Sequence, residues 1–211
     1  MIDALMIHKS QLTCVVESSN CQEALALLEE NHLRCAPVLD ATSTLYRGNI
    51  YRYHIYQYLA QHPDADLSQM PVTHFLKNTT RVVHTNESMF QLFFAMTDLP
   101  YVAVLDAQNA FLGIIKHNAM LNFLAQAWVM DKAGFVLEVH TLGGTGELAK
   151  ISKIINKYCD ISTAVTLEET AYDTGARILF VLPHYLDQVL FNRLIRDLER
   201  KQYKLKAYNM K

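Results

Sequence analysis

Arginines and tyrosines gather in one short stretch, RCAPVLDATSTLYRGNIYRYHIYQYL, residues 34–59. Arg34 and Cys35 precede an apolar strand, and Tyr46, Arg47, Asn49 and Tyr51 flank or interrupt a second, before Arg52 and His54 open a helix. Arginine presents a rigid fork of donors that fits an oxyanion, and tyrosine presents a flat face with a polar rim. A plain hairpin needs neither at its pivot. A related stretch, PYVAVLDAQNAFLGIIKHNAMLNFL, follows at residues 100–124 with Tyr101, Val102, Ile115 and Lys116 at the matching places. Polar residues at matching positions of a repeated unit point to a built binding site.

Reaction chemistry finds no such support. Nine histidines are scattered without a His-Glu-x-x-His or paired Cys/His cluster, so no metal site is expected. GGTGELAK, beginning at Gly143, has the glycines of a phosphate loop but not its Gly-Lys-Ser/Thr ending, and no Gly-x-Ser-x-Gly elbow occurs. No catalytic residue is assigned, no cofactor is expected, and an enzyme is disfavoured.

The 211 residues suffice for one large domain or two small ones, with 51% apolar residues, 19% charged residues and a net charge of -2. Those values disfavour disorder and a DNA-binding footprint, but leave room for a small anion held by local arginines. The N-terminal MIDALMIHKSQLT lacks the charge and apolar pattern of a signal peptide, and no apolar run approaches the ~20 residues of a membrane span. Cys14, Cys21, Cys35 and Cys159 show no Cys-x-x-Cys spacing and read as buried thiols of a reducing cytoplasm. A cytoplasmic protein without a membrane anchor is expected.

The elements that would carry these residues come in two copies. Pro37-Val38-Leu39-Asp40-Ala41 aligns with Ala103-Val104-Leu105-Asp106-Ala107 at an offset of 66, and Gly48 aligns with Gly113 at 65. Upstream, TCVVESSNCQEALALLEENHLR reads as strand, Ser/Asn cap and helix, with Ala24, Leu25 and Leu28 on one face. TRVVHTNESMFQLFFAMTDLP reads alike, with Thr85 or Asn86 as the cap and Met89, Leu92, Phe93 and Met96 as the stripe. Each unit is strand, helix, strand, tight turn, strand, helix, and two units would pack as a pseudo-symmetric pair. From Gly134 the order changes to βαββαβ, the split ferredoxin-like pattern. The boundary is expected at Trp128 to Lys132, and the absence of a Pro- or Gly/Ser-rich linker suggests that the parts pack together.

The repeat resembles a tandem pair of CBS domains, on CAPVLD with GNIYRYH and on VAVLD with GIIKHNA. The remainder, with TLGGTGELAKIS at its first strand-to-helix turn, resembles an ACT domain. The expected class is thus α/β (α+β): CBS motifs over residues 1–66 and 67–130, then a ferredoxin-like ACT domain over 134–211. The combination, with YRGNIYRYHIY, is similar to the cyclic-di-AMP-binding CBS–ACT proteins of Gram-positive bacteria, the CbpA type. The acetoin-utilisation CBS–ACT proteins share this architecture. The resemblance implies a cytoplasmic receptor for cyclic di-AMP, a homodimer, and an unidentified protein partner that reads the bound state.

Where CBS proteins that bind nucleotides carry a Ser/Thr and then an Asp, this chain has Tyr51 and His54 in the first copy and Lys116 and Ala119 in the second. That Asp commonly holds ribose hydroxyls, which a cyclic dinucleotide has partly tied up as phosphodiesters. On this reading Cys35, Ala36, Ile50 and Tyr51 form an adenine slot, matched by Tyr101, Val102 and Ile115. Tyr46 and Tyr51 stack on a base, and Arg47 is the first choice for a phosphate, followed by Arg34, Arg52 and Lys116. Asn49, alternating with Ile50, faces the other way. The helix after Ile50 offers its positive end, with His54 nearby. In the ACT part, Leu142, Gly143, Gly144, Thr145 and Gly146 form the candidate effector turn. Other readings remain: turn glycines and packing tyrosines without a ligand, a sensor of AMP, ATP or S-adenosyl compounds, or an interaction module.

Overall fold

The computed structural model describes residues 2–129, 132–141, 144–168 and 176–210. It divides into two units, one up to Leu121 and one from Asn122.

The first unit begins with α1 (Ile2–Leu5) and the short strand β1 (Ile7–His8). The first repeat comprises β2 (Val15–Val16), α2 (Cys21–Glu30), β3 (Cys35–Leu39), β4 (Tyr46–Tyr51) and α3 (Arg52–Gln61). The second comprises β5 (Val82–His84), α4 (Met89–Ala95), β6 (Tyr101–Leu105), β7 (Phe111–Lys116) and α5 (His117–Ala127), whose last residues belong to the second unit. The sheets run β2-β3-β4 and β1-β7-β6-β5.

Local chemistry fixes the helix starts. Asn20 and Glu23 form a reciprocal capping box at α2, which buries Cys21, Ala24 and Leu28. In the second repeat the cap is Ser88, paired with Gln91, and not Thr85 or Asn86. Those two lie in the preceding turn, where the Thr85 N–H donates to the Leu105 carbonyl and the Glu87 N–H to that of His84. The expected stripe does face inward, with Leu92 and Met96 fully buried and Met89 and Phe93 partly so.

The duplication extends to backbone detail. The hairpin β3–β4 shifts register between Val38 and Leu39, and β6–β7 between Val104 and Leu105. One aspartate organises each turn: Asp40 Oδ1 accepts from the N–H groups of Thr44 and Leu45, both at 2.7 Å, and Asp106 Oδ1 from those of Gln108 and Ala110 at 2.9 and 2.8 Å. Each repeat also lends its entry segment to the other. Lys77 bridges Asn49 of the first hairpin, while Ile7 pairs with Ile114 of the second. The pivot glycines admit this approach. A Cβ on Gly113 would lie 2.1 Å from the Ile7 carbonyl oxygen, and one on Gly48, at φ 144°, would lie 2.9 Å from that of Lys77.

The second unit contains β8 (Ala133–Thr141), α6 (Glu147–Ile155), β9 (Thr163–Glu168), β10 (Ala176–Pro183), α7 (Gln188–Arg200) and β11 (Lys204–Asn209). Its sheet order is β11-β8-β10-β9 with antiparallel pairing throughout, the ferredoxin-like arrangement expected from the βαββαβ pattern. Both helices lie on one face. Ile151 and Ile155 of α6 join Phe191, Leu194 and Leu198 of α7 over Leu137, Val139 and Phe180. Phe135 stacks on Phe191 with ring centroids 4.0 Å apart, worth about 0.5–1.5 kcal/mol beyond burial.

Candidate functional site

Strand alternation sorts the site residues of the first unit. Ala36 and Ile50 point beneath the helices of the first repeat, against Leu28 and Ile55. Val102 and Ile115 do the same in the second, against Leu92 and Met120. All four are 0–1% exposed, so their side chains do not line a slot as expected. The opposite set faces the seam between repeats. Tyr101 and Ile114 pack there with Leu39 and Phe111, and Cys35 and Tyr46 pack against them.

Asn49 belongs to the seam as well. It is 1% exposed and accepts a 2.8 Å hydrogen bond from the Tyr101 hydroxyl. A buried amide left unpaired would cost about 1–3 kcal/mol, so this bond fixes how the repeats meet. Tyr46 stacks on Phe111 with centroids 5.9 Å apart, and its hydroxyl donates to the Asn78 carbonyl at 3.3 Å. One face of its ring thus packs on Phe111, and Tyr46 lines neither of the clefts at the strand starts. The Asn78 amide in turn donates to the Tyr51 hydroxyl at 2.7 Å. Burial is the leading cause that raises the phenols of Tyr101, Tyr46 and Tyr51 above their ordinary range. It also lifts the Cys35 thiol to about 11, so this thiol stays protonated at neutral pH.

The strand starts open into two clefts. The Arg34 carbonyl accepts from the Arg52 N–H at 3.0 Å, tying the head of α3 to the head of β3. Beside this tie lies a cleft of about 590 Å³ lined by Glu29, Arg34, Cys35, Tyr51, Arg52, Tyr53, Tyr56 and Pro100. Its acid is engaged, because the Tyr56 hydroxyl donates to the Glu29 carboxylate. An adjoining cleft of about 300 Å³ shares Arg34, Cys35 and Pro100 and adds Thr13, Tyr101, Ile114 and Lys116. The structure thus brings together Arg34, Cys35, Tyr51, Arg52, Tyr101 and Lys116 from the sequence-derived set.

Beyond the core and seam residues already described, two further members of that set lie on the surface outside both clefts. Arg47 forms an ion pair with Glu17, Nε to Oε2 at 2.7 Å, on the partly exposed flank of β4 and outside both clefts. His54 borders a separate surface cleft with Gln57, Tyr58, Gln61, Phe75 and Lys77. Tyr53, Tyr56, Pro100 and Ile114 are additions that the sequence reading does not contain. Tyr53 and Tyr56 carry a legible signal: they stand off the Ile55–Tyr58 face that packs on the core, and are 67% and 43% exposed. Pro100 and Ile114 have no such signal, since only the pairing of the repeats places them.

In the second unit, Leu142 and Gly143 of the candidate effector turn lie outside the described residues. Gly144 borders a cleft of about 370 Å³ with His140, Thr141, Glu147 and Tyr203, and Gly146 opens α6 at φ 84°. Among the described residues no three His, Cys, Asp or Glu side chains converge as a metal site. None of the described helices is long and apolar enough to cross a membrane.

Comparison with protein-family models gives no match, and neither does comparison with curated protein sequences. Solved structures do match. A CBS domain protein from Streptococcus pneumoniae TIGR4 aligns over 59% of this chain and 86% of its own, at 20% identity and a TM-score of 0.54. Over the aligned part, the fold is that of a CBS pair. The Listeria monocytogenes CbpB protein, solved in complex with c-di-AMP, covers 59% of this chain and 94% of its own at 21% identity, with a TM-score of 0.53. A CBS domain pair/ACT domain protein from Thermotoga maritima covers 60% and 97% at 18% identity, with a TM-score of 0.50.

Proposed function

We propose that the CBS pair binds cyclic di-AMP in the cleft at the head of β3 and α3, and that the protein is a non-enzymatic regulator that reports the bound state. The carrying observation is the meeting of Arg34 and Arg52 with Tyr51, Tyr53 and Tyr56 in one open cleft of about 590 Å³. That volume lies within the usual range for small-molecule sites. Stacking of a base on an aromatic ring contributes roughly 1–3 kcal/mol, and arginine forks match phosphodiester oxygens. Arg34 takes the phosphate role in place of Arg47, whose guanidinium is held by Glu17. Lys116 is the cation of the adjoining cleft. His54 and Ala119, in place of the ribose-binding aspartate, favour a cyclic dinucleotide over AMP or ATP. The Listeria likeness supports the same ligand, in that CbpB was solved with it.

The reading extends to a cytoplasmic homodimer of the CbpA type, with the ferredoxin-like unit serving as an ACT domain and a protein partner sensing the change. Ligand can shift the protein between arrangements only through unequal affinity for them. Isothermal titration with cyclic di-AMP, AMP, ATP and cyclic di-GMP tests the proposal, with Arg34→Ala as the control. Saturable binding of cyclic di-AMP alone, weakened by the substitution, supports it. Binding of AMP or ATP instead overturns it in favour of a mononucleotide sensor, and silence with all four by calorimetry and a second method leaves an interaction module.

A further inference from the structure

We infer that the ferredoxin-like unit has an anion-binding groove of its own, suited to a small ligand bearing two or more phosphate groups. Lys150, Lys153 and Lys157 recur at spacings of three and four along α6 and its following turn, so they share a face. Lys201, from the turn after α7, joins them around a cleft of about 340 Å³, with Ile154 and Tyr203 as apolar wall. Four ammonium groups around one cleft repel each other and concentrate positive potential where a ligand would sit.

The nearby acids cancel only part of this charge. Glu147 is held by Lys150 at 2.7 Å and by the Tyr203 hydroxyl at 3.0 Å, which accounts for one lysine. Asp197 accepts from the Tyr158 hydroxyl and pairs with Arg200 at 3.5 Å. Among the described residues no carboxylate pairs with Lys153, Lys157 or Lys201. Ammonium groups bind phosphate as point charges without a fixed fork, so the groove selects for charge and size more than for shape. Ile154 and Tyr203 can cover the organic part of a phosphorylated metabolite. The groove is distinct from the arginine cleft of the CBS pair, and the two differ in their cations.

Inorganic pyrophosphate is the first probe, titrated into the full chain at physiological ionic strength. Wild type is compared with K153Q/K157Q/K201Q and with R34A/R52A. The expected result is saturable pyrophosphate binding that the lysine substitutions weaken about tenfold or more and that persists in R34A/R52A. The lysines are exposed, so the thermal midpoint should stay at the wild-type value; K157Q alone serves the same comparison if the triple variant unfolds. Absence of saturable binding, or loss only in R34A/R52A, overturns the inference. Preference for a short oligonucleotide over pyrophosphate overturns the assignment to a small ligand.

Discussion

In both repeats of the CBS pair, the carbonyl just ahead of the hairpin accepts from the head of the following helix. Arg34 accepts from the Arg52 N–H and Pro100 from the His117 N–H, each at 3.0 Å. Around this shared tie the side chains diverge. The first repeat offers Arg34, Tyr51, Arg52, Tyr53 and Tyr56. The second has Pro100, Lys116, His117, Asn118 and Leu121 at the matching positions. What the copies keep is what the backbone needs: the pivot glycine, the turn aspartate, the bulge and the apolar residues under the helices. Positions that face solvent are free to acquire chemistry in one copy alone. The site is therefore expected to be lopsided, with most ligand contacts from the first repeat.

The largest effects should come from the shared backbone. Gly113→Ala forces a Cβ into the Ile7 carbonyl, so about 3 kcal/mol of stability should be lost, measured from the urea midpoint. Gly48→Ala, with the longer 2.9 Å approach but a left-handed φ, should also destabilise. Equal stability of both variants and wild type would break the account of exchanged entry segments. The chemistry should prove unequal. Arg34→Ala should weaken cyclic di-AMP binding by about 2 kcal/mol, some thirtyfold, whereas Lys116→Ala should cost less. The reverse order by calorimetry would place the ligand in the second repeat.

Smaller effects sharpen the comparison at the seam and the turns. Tyr101→Phe removes the hydrogen bond to buried Asn49 and should cost about 1–2 kcal/mol without changing the fold, as read by denaturation and circular dichroism. Asp40 is held at about 2 by the Thr42 hydroxyl first and by the Leu45 N–H, below the carboxylate value of about 3.9 for an unfolded chain. Its folded-state pKa is depressed, so its stabilising effect is present above about pH 4 and is lost as pH falls through about 2. Acid unfolding followed by circular dichroism should therefore be less steep across this window in Asp40→Asn than in wild type.

Much of the fold is legible in the order of residues alone. Periodicity reveals α2, α4 and the βαββαβ order, and the offset of 66 reveals the repeat, because these features rest on local chain chemistry. The cap of α4 is less legible. Thr85, Asn86 and Ser88 are all capping residue types within four positions, and only hydrogen bonding singles out Ser88. Of the expected adenine slot, Cys35, Tyr51 and Tyr101 line the clefts, whereas the side chains of Ala36, Ile50, Val102 and Ile115 turn into the cores beneath the helices. Those residues look as suitable as their neighbours, because alternation defines two faces without saying which one meets the other repeat.

Local chain chemistry sets the duplicated units, the ferredoxin-like order and a stock of arginine, tyrosine and lysine at strand and helix ends. These follow from turn residues, caps and apolar spacing, which act over a few residues. Tertiary structure decided which of those side chains meet. It paired Arg47 with Glu17, placed Asn49 on Tyr101, left Tyr53 and Tyr56 open beside Arg34, and gathered lysines from α6 and the α7–β11 turn around one groove. Contacts between residues many tens of positions apart depend on how sheets and helices pack, and no local pattern encodes that.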